Sequence, residues 1–98
     1  LSKKYNIITA TMGHIADGNI HPNFALNLDT DSECFEKLKD ELFNYALSIG
    51  GTLSGEHGIG VHKQKYIPLA IEKNALNLMK EIKKLLDFKD IFNTGKSL

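Results

Sequence analysis

The segment Gly13–His21, GHIADGNIH, restricts the fold of this chain more than any other stretch. At its centre, Asp17-Gly18-Asn19 is turn chemistry: glycine takes positive φ, and Asp and Asn side chains bond nearby backbone. Strand-favouring sequence stands on both sides, IITATM before and PNFALNL after. The pattern predicts a strand over 6–14, a tight excursion, and a returning strand over 21–29. In the second strand Phe24, Leu26 and Leu28 share one face, while His21, Asn23 and Asn27 share the other. His14 then closes one strand and His21 opens the next. Two imidazoles facing each other across a loop mouth can share one metal ion. For two histidines alone, ordinary polar loop residues are the better account.

With 98 residues the chain is one domain or part of one, with a modest core. Twelve basic and twelve acidic residues balance, and no basic stripe points to nucleic acid. No apolar run reaches membrane-spanning length, and no signal-peptide pattern is present. The single cysteine, Cys34, excludes an internal disulfide and fits a reducing compartment, so a cytoplasmic setting is expected. Its reading as an ordinary thiol in the first turn of a helix outweighs a nucleophile. The chain opens on Leu1 rather than Met, as a fragment would.

Leu1–Tyr5 is polar and reads as a frayed end. After the two strands, Thr30 followed by Glu33 fits a capping box for the first helix. Phe35, Leu38, Leu42, Tyr45, Ala46 and Ile49 recur at helical spacing, and Gly50 suits the left-handed position that ends it. Thr52-Leu53-Ser54 reads as a short strand. An irregular Gly-rich loop follows, carrying Glu56 and His57. As neighbours in a regular strand these two would point to opposite faces; the flanking glycines let both reach one pocket. A helical turn is expected over 62–67, stopped near Pro68. Asn74 is read as the N-cap of a last helix running to about Leu86, with Leu78, Met79, Ile82, Leu85 and Leu86 as its apolar side. Lys80, Lys83 and Lys84 form a solvated face near its C-terminus, where positive charge suits the dipole. The tail, DFKDIFNTGKSL, has turn residues and no period. Its Gly95-Lys96-Ser97 is not a P-loop, because Asp90 stands where that motif needs glycine and no helix follows.

His14, His21 and Glu56 together offer two nitrogen ligands and one carboxylate. Three protein ligands leave positions open, which suits a catalytic metal more than a structural one. His57 then stands beside the ion as a candidate general base, and Asn23 adds an amide on the side of His21. From spacing alone this reading and a plain loop, whose Glu and His cap backbone groups, stand even.

GHIADGNIHPN, GGTLSGEHGIG and DFKDIFNTGK resemble, in order and spacing, the C-terminal region of FAD-linked 2-hydroxyacid dehydrogenases. That group includes the glycolate oxidase flavin subunit, D-lactate dehydrogenases and D-2-hydroxyglutarate dehydrogenase. The resemblance covers nearly the whole chain. It departs at Ala16, where the family usually has Gly, and at Thr94, where it usually has Pro. It implies that residues 1–98 are the last part of a cap domain, whose FAD-binding domain is absent from this chain. It further implies a divalent ion, zinc or manganese, at the positions matching His14, His21 and Glu56. The position matching His57 sits by the substrate hydroxyl, that matching Asn23 contacts substrate, and that matching Asn93 lies toward the flavin. An electron-transfer subunit is an implied partner, and membrane association would come through such a subunit.

The expected fold is α+β: an antiparallel sheet with helices packed on one face, a ferredoxin-like cap fragment. The expected function is oxidation of a 2-hydroxy acid to the 2-oxo acid by the FAD-containing whole, this chain alone being inactive and prone to self-association. The alternatives are a stand-alone metal-binding or interaction module and a metal-dependent hydrolase with His57 as base.

Overall fold

The computed structural model describes residues 1–98, apart from the side chains of residues 28–30. It is α+β, with one two-stranded antiparallel sheet and helices. The chain divides into two compact units, Leu1–Tyr45 and Ala46–Leu98.

The first unit is built on the hairpin of β1 (Ile8–His14) and β2 (Asn19–Ala25). A single 3₁₀ turn, Ile15–Asp17, joins them, and Gly18 at φ 67° closes it by donating its N–H to Ile15 O. The second strand therefore starts two residues earlier than the sequence suggests, because pairing resumes as soon as Gly18 has reversed the chain. It also stops at Ala25, short of Asp29. The register pairs Met12 with His21, Gly13 with Ile20 and His14 with Asn19. Gly13 is required by this closeness: a Cβ there would stand 2.2 Å from Asn19 O.

Leu1–Tyr5 is not frayed. Ser2–Tyr5 form a helical turn, α1, and Asn6 leaves it at φ 53°. That left-handed residue is why β1 begins at Ile8 rather than Asn6. Lys4 and Tyr5 both hydrogen-bond Glu41 on the long helix α2, Leu28–Ser48. The expected capping box includes Thr30, whose side chain lies outside the described residues. Asp31 instead reaches back, accepting the Asn27 N–H at 2.8 Å, while Glu33 pairs with Lys37 at 2.7 Å. Phe35 meets Phe24 edge-on with ring centroids 5.6 Å apart, tying α2 to the Phe24 face of the hairpin. Leu38 is fully buried and Ile7 nearly so. The Cys34 thiol faces the Tyr5 carbonyl, as befits a structural residue.

In the second unit Gly50, at φ 83°, ends α2 as expected: its N–H bonds Leu47 O and that of Gly51 bonds Ala46 O. Ile49, and Tyr45 at the end of the first unit, both assigned to the apolar side of α2 from spacing, are exposed. Thr52-Leu53-Ser54 forms no strand; Leu53 is buried within irregular backbone. Pro68 does not stop a helix. The 3₁₀ turn Gln64–Tyr66 runs directly into the short helix α3, Ile67–Ala70, with Pro68 in its first turn, where the missing N–H costs nothing. Tyr66 and Ile67 are buried there. Helix α4, Lys73–Leu86, starts after Glu72 rather than at Asn74, without a side-chain cap. Its apolar side is present but uncovered: Leu78, Ile82, Leu85 and Leu86 are all exposed.

Candidate metal and substrate site

The antiparallel register decides which side chains share a face. Met12 opposite His21 and His14 opposite Asn19 put His14 and His21 on one face as diagonal neighbours. Their rings meet edge-on at 88°, with centroids 5.6 Å apart. A ring nitrogen of each lies within 4.8 Å of the other's. Two nitrogens on one ion, with bonds of about 2.0–2.1 Å, stand no more than about 4 Å apart. Asn23 shares the face, two residues on, and its amide donates to the His21 carbonyl at 3.2 Å. Ile8 and Met12, both exposed, share this face. The opposite face, with Phe24, is the one α2 packs on, so the histidines stand on the face away from α2.

The loop 51–60 belongs to the second unit. Gly58 and Gly60 lie at φ 73° and 57°. These left-handed residues keep the loop out of regular structure, and the result for its acidic and imidazole groups is the expected one: Glu56 and His57 are neighbours that turn to the same side. Glu56 Oε1 stands 3.8 Å from His57 Nε2. Both are exposed, His57 more so. Ser54, two residues before Glu56, has a buried hydroxyl oxygen with no hydrogen-bond partner among the described residues. Sequence reading passed over it, since one serine among glycines carries no spacing signal.

Asn93 also lies in the second unit. It is exposed, takes φ 51°, and accepts the Lys96 N–H through its carbonyl. The turn that carries it is wound on Asp87, a residue the sequence reading did not single out. Asp87 is 8 % exposed, and its carboxylate accepts hydrogen bonds from Lys83 and from the Ile91 and Phe92 N–H groups. Those bonds, Lys83 first and then Ile91 and Phe92, hold its carboxyl below the ordinary carboxylate range. Lys83 is thus engaged rather than part of a solvated face. The available signal was the lysine one helical turn before an aspartate that ends the helix.

Comparison with known proteins adds the following. Residues 1–97 match a family described as FAD linked oxidases, C-terminal domain. A relative named glycolate oxidase subunit GlcD, from Bacillus subtilis, is 36% identical over 98% of this chain. One named D-lactate dehydrogenase, from Archaeoglobus fulgidus, is 38% identical, also over 98%. A mitochondrial protein of Arabidopsis thaliana, named D-lactate dehydrogenase [cytochrome], is 37% identical over 93%. The matched region is 21%, 21% and 16% of these three relatives, so the chain spans only about a fifth of their length.

Proposed function

The chain belongs to the C-terminal-domain family of FAD-linked oxidases, and from that premise we propose that it supplies the metal- and substrate-binding residues of an enzyme that oxidises a 2-hydroxy acid to the 2-oxo acid. The observation that carries this reading is the pair His14–His21, two nitrogen donors on one face of the hairpin with the Asn23 amide on the same face. The donor chemistry fits a divalent ion such as zinc or manganese. Two imidazoles, with the Glu56 carboxylate as the proposed third donor, would make a mixed nitrogen–oxygen set that leaves coordination positions free. A bound ion would supply Lewis acidity toward the carboxylate and hydroxyl of a hydroxy acid, and FAD, held by a separate domain, would supply the hydride acceptor.

The chain's own residues divide the rest of the work. His14 and His21 orient the ion by their fixed position on paired strands. Glu56 contributes the negative charge. His57 accepts the substrate hydroxyl proton at Nε2, a task for which imidazole is suited near neutral pH. Asn23 hydrogen-bonds substrate, and Asn93 faces the flavin. The reading includes an electron-accepting partner subunit, a cytoplasmic setting and membrane contact only through that subunit.

The test uses the flavin-loaded protein that carries this chain. A panel of 2-hydroxy acids with an artificial electron acceptor should yield 2-oxo acids, and no hydroxy acid should be spared by removal of divalent metal. Glu56→Gln should lower metal affinity, with activity partly restored by excess metal. His57→Asn should keep metal and substrate but slow flavin bleaching by roughly 10²–10⁴-fold. If His57→Asn bleaches at the parent rate and Glu56→Gln retains full metal occupancy, both roles are wrong.

A further inference from the structure

We propose that Asp87 is a positioning residue that holds the C-terminal strap, residues 88–98, and through it the loop bearing Glu56 and His57. The argument begins with how the strap is wound. Asp87 ends α4, and each of its carboxylate oxygens accepts one backbone N–H from the next turn: Oδ1 from Ile91 and Oδ2 from Phe92, both at 2.9 Å. Lys83, one helical turn earlier, hydrogen-bonds Oδ2 and reaches Asp90 Oδ1 at 3.2 Å. The Asp87 carbonyl also accepts the Asp90 N–H at 2.9 Å. One buried carboxylate is therefore the template for the turn.

The strap needs a template. Asp90, Asn93 and Ser97 all take positive φ, 49°, 51° and 69°, a region that side chains other than glycine rarely occupy. Hydrophobic burial does not hold it, because Phe88, Ile91 and Phe92 are exposed. What remains is hydrogen bonding. Thr94 Oγ1 bonds the Asp90 carbonyl, and Asn93 O accepts from Lys96 N–H at 3.0 Å. The Ser97 N–H then donates to Gly60 O at 3.0 Å. Gly60 is the last residue of the loop 51–60. A continuous run of hydrogen bonds and short backbone links thus joins Asp87 to the segment that carries Glu56 and His57, and Asn93 lies along it.

The inference rests on the roles proposed above for His57 and Asn93, and its test separates the two. In the flavin-loaded protein, Asp87→Asn and Lys83→Met are compared with the parent by amide hydrogen exchange and by the rate of flavin reduction per bound flavin. Asp87→Asn should speed exchange at Ile91, Phe92 and Ser97 and slow flavin reduction by roughly 10–100-fold, the cost of misplaced reacting groups. The substrate concentration giving half-maximal rate should change far less. Lys83→Met keeps both N–H acceptors and should leave Ser97 protected. A residue that served only stability would lower the yield of folded protein but not the rate per bound flavin. Faster exchange at Ile91 and Phe92 with Ser97 and the per-flavin rate unchanged would overturn the proposal. If no 2-hydroxy acid reduces the parent flavin, the proposed function fails while the exchange at Ser97 still decides the strap.

Discussion

Gly13 shows how one position can carry a whole hairpin. A methyl group there would stand 2.2 Å from Asn19 O and 2.9 Å from Ile20 Cα, both backbone atoms that cannot swing aside. Gly13→Ala should therefore separate the strands beside His14 and His21, costing about 1–3 kcal/mol as overpacking does. Urea titration of the two proteins measures it, and an unchanged midpoint would mean that β1 and β2 do not meet so closely. Ser54 argues in the other direction. A buried hydroxyl without a partner among the described residues has lost its water and gained nothing in return. Ser54→Ala should leave stability unchanged or raise it by up to about 1 kcal/mol. A fall in melting temperature would show that the hydroxyl is bonded after all.

Helix α1 is four residues long and has no buried residue, so its order depends on Lys4 and Tyr5 meeting Glu41. The Glu41 carboxyl lies below its ordinary value of 4.5, chiefly through the Lys4 hydrogen bond and then that of Tyr5. A lowered acid pKa contributes stability above the unfolded value and loses it as pH falls through the folded one. Tyr5 is shifted up from 10.0, first by its hydrogen bond to Glu41, so its contribution is present below 10.0 and lost as pH rises through the folded value. The α1–α2 contact should thus be intact across neutral pH and released at both acid and alkaline extremes. Cross-relaxation between the Tyr5 ring and α2 protons, followed from pH 3 to 11, reads this directly; release on one side only would remove the corresponding partner from the account. This contact also marks what the sequence could not disclose. Turn chemistry around Gly18, alternation in 21–27 and the Gly50 terminus depend on neighbours in the chain, and they were readable. The order of Leu1–Tyr5 depends on a residue 36 positions away. Asp87 likewise matters for what it bonds in space, and Pro68 could equally stop a helix or start one. The two histidines were readable as a pair because a single turn joins them. The partnership of Glu56 with His57 was readable only as a freedom that glycine permits.

The distribution of apolar surface bears on how the chain behaves on its own. In the first unit the hairpin exposes Ile8, Met12 and Ile20, and a two-stranded sheet has both outer edges unpaired. In the second, Leu85, Leu86, Phe88, Ile91 and Phe92 are exposed together along the end of α4 and the strap. Surface of this kind favours association. Formal charge offers no opposition, since twelve basic and twelve acidic residues cancel and give no net repulsion between copies. The 98-residue chain should therefore self-associate at micromolar to millimolar concentration, with a sedimentation coefficient that rises with concentration. Two substitutions separate the possible contacts. Met12→Lys adds charge to the hairpin face, and Phe92→Lys adds it to the strap. Burying such a side chain contributes about 1.5–3 kcal/mol, so the substitution on the operative face should weaken association by roughly 10–100-fold, and the other should leave it nearly unchanged. Loss through Phe92→Lys alone would put the contact on the strap and α4; loss through Met12→Lys alone would put it on the face that carries His14 and His21, and association would then compete with metal binding. A concentration-independent monomer would show that neither surface is adhesive enough to matter.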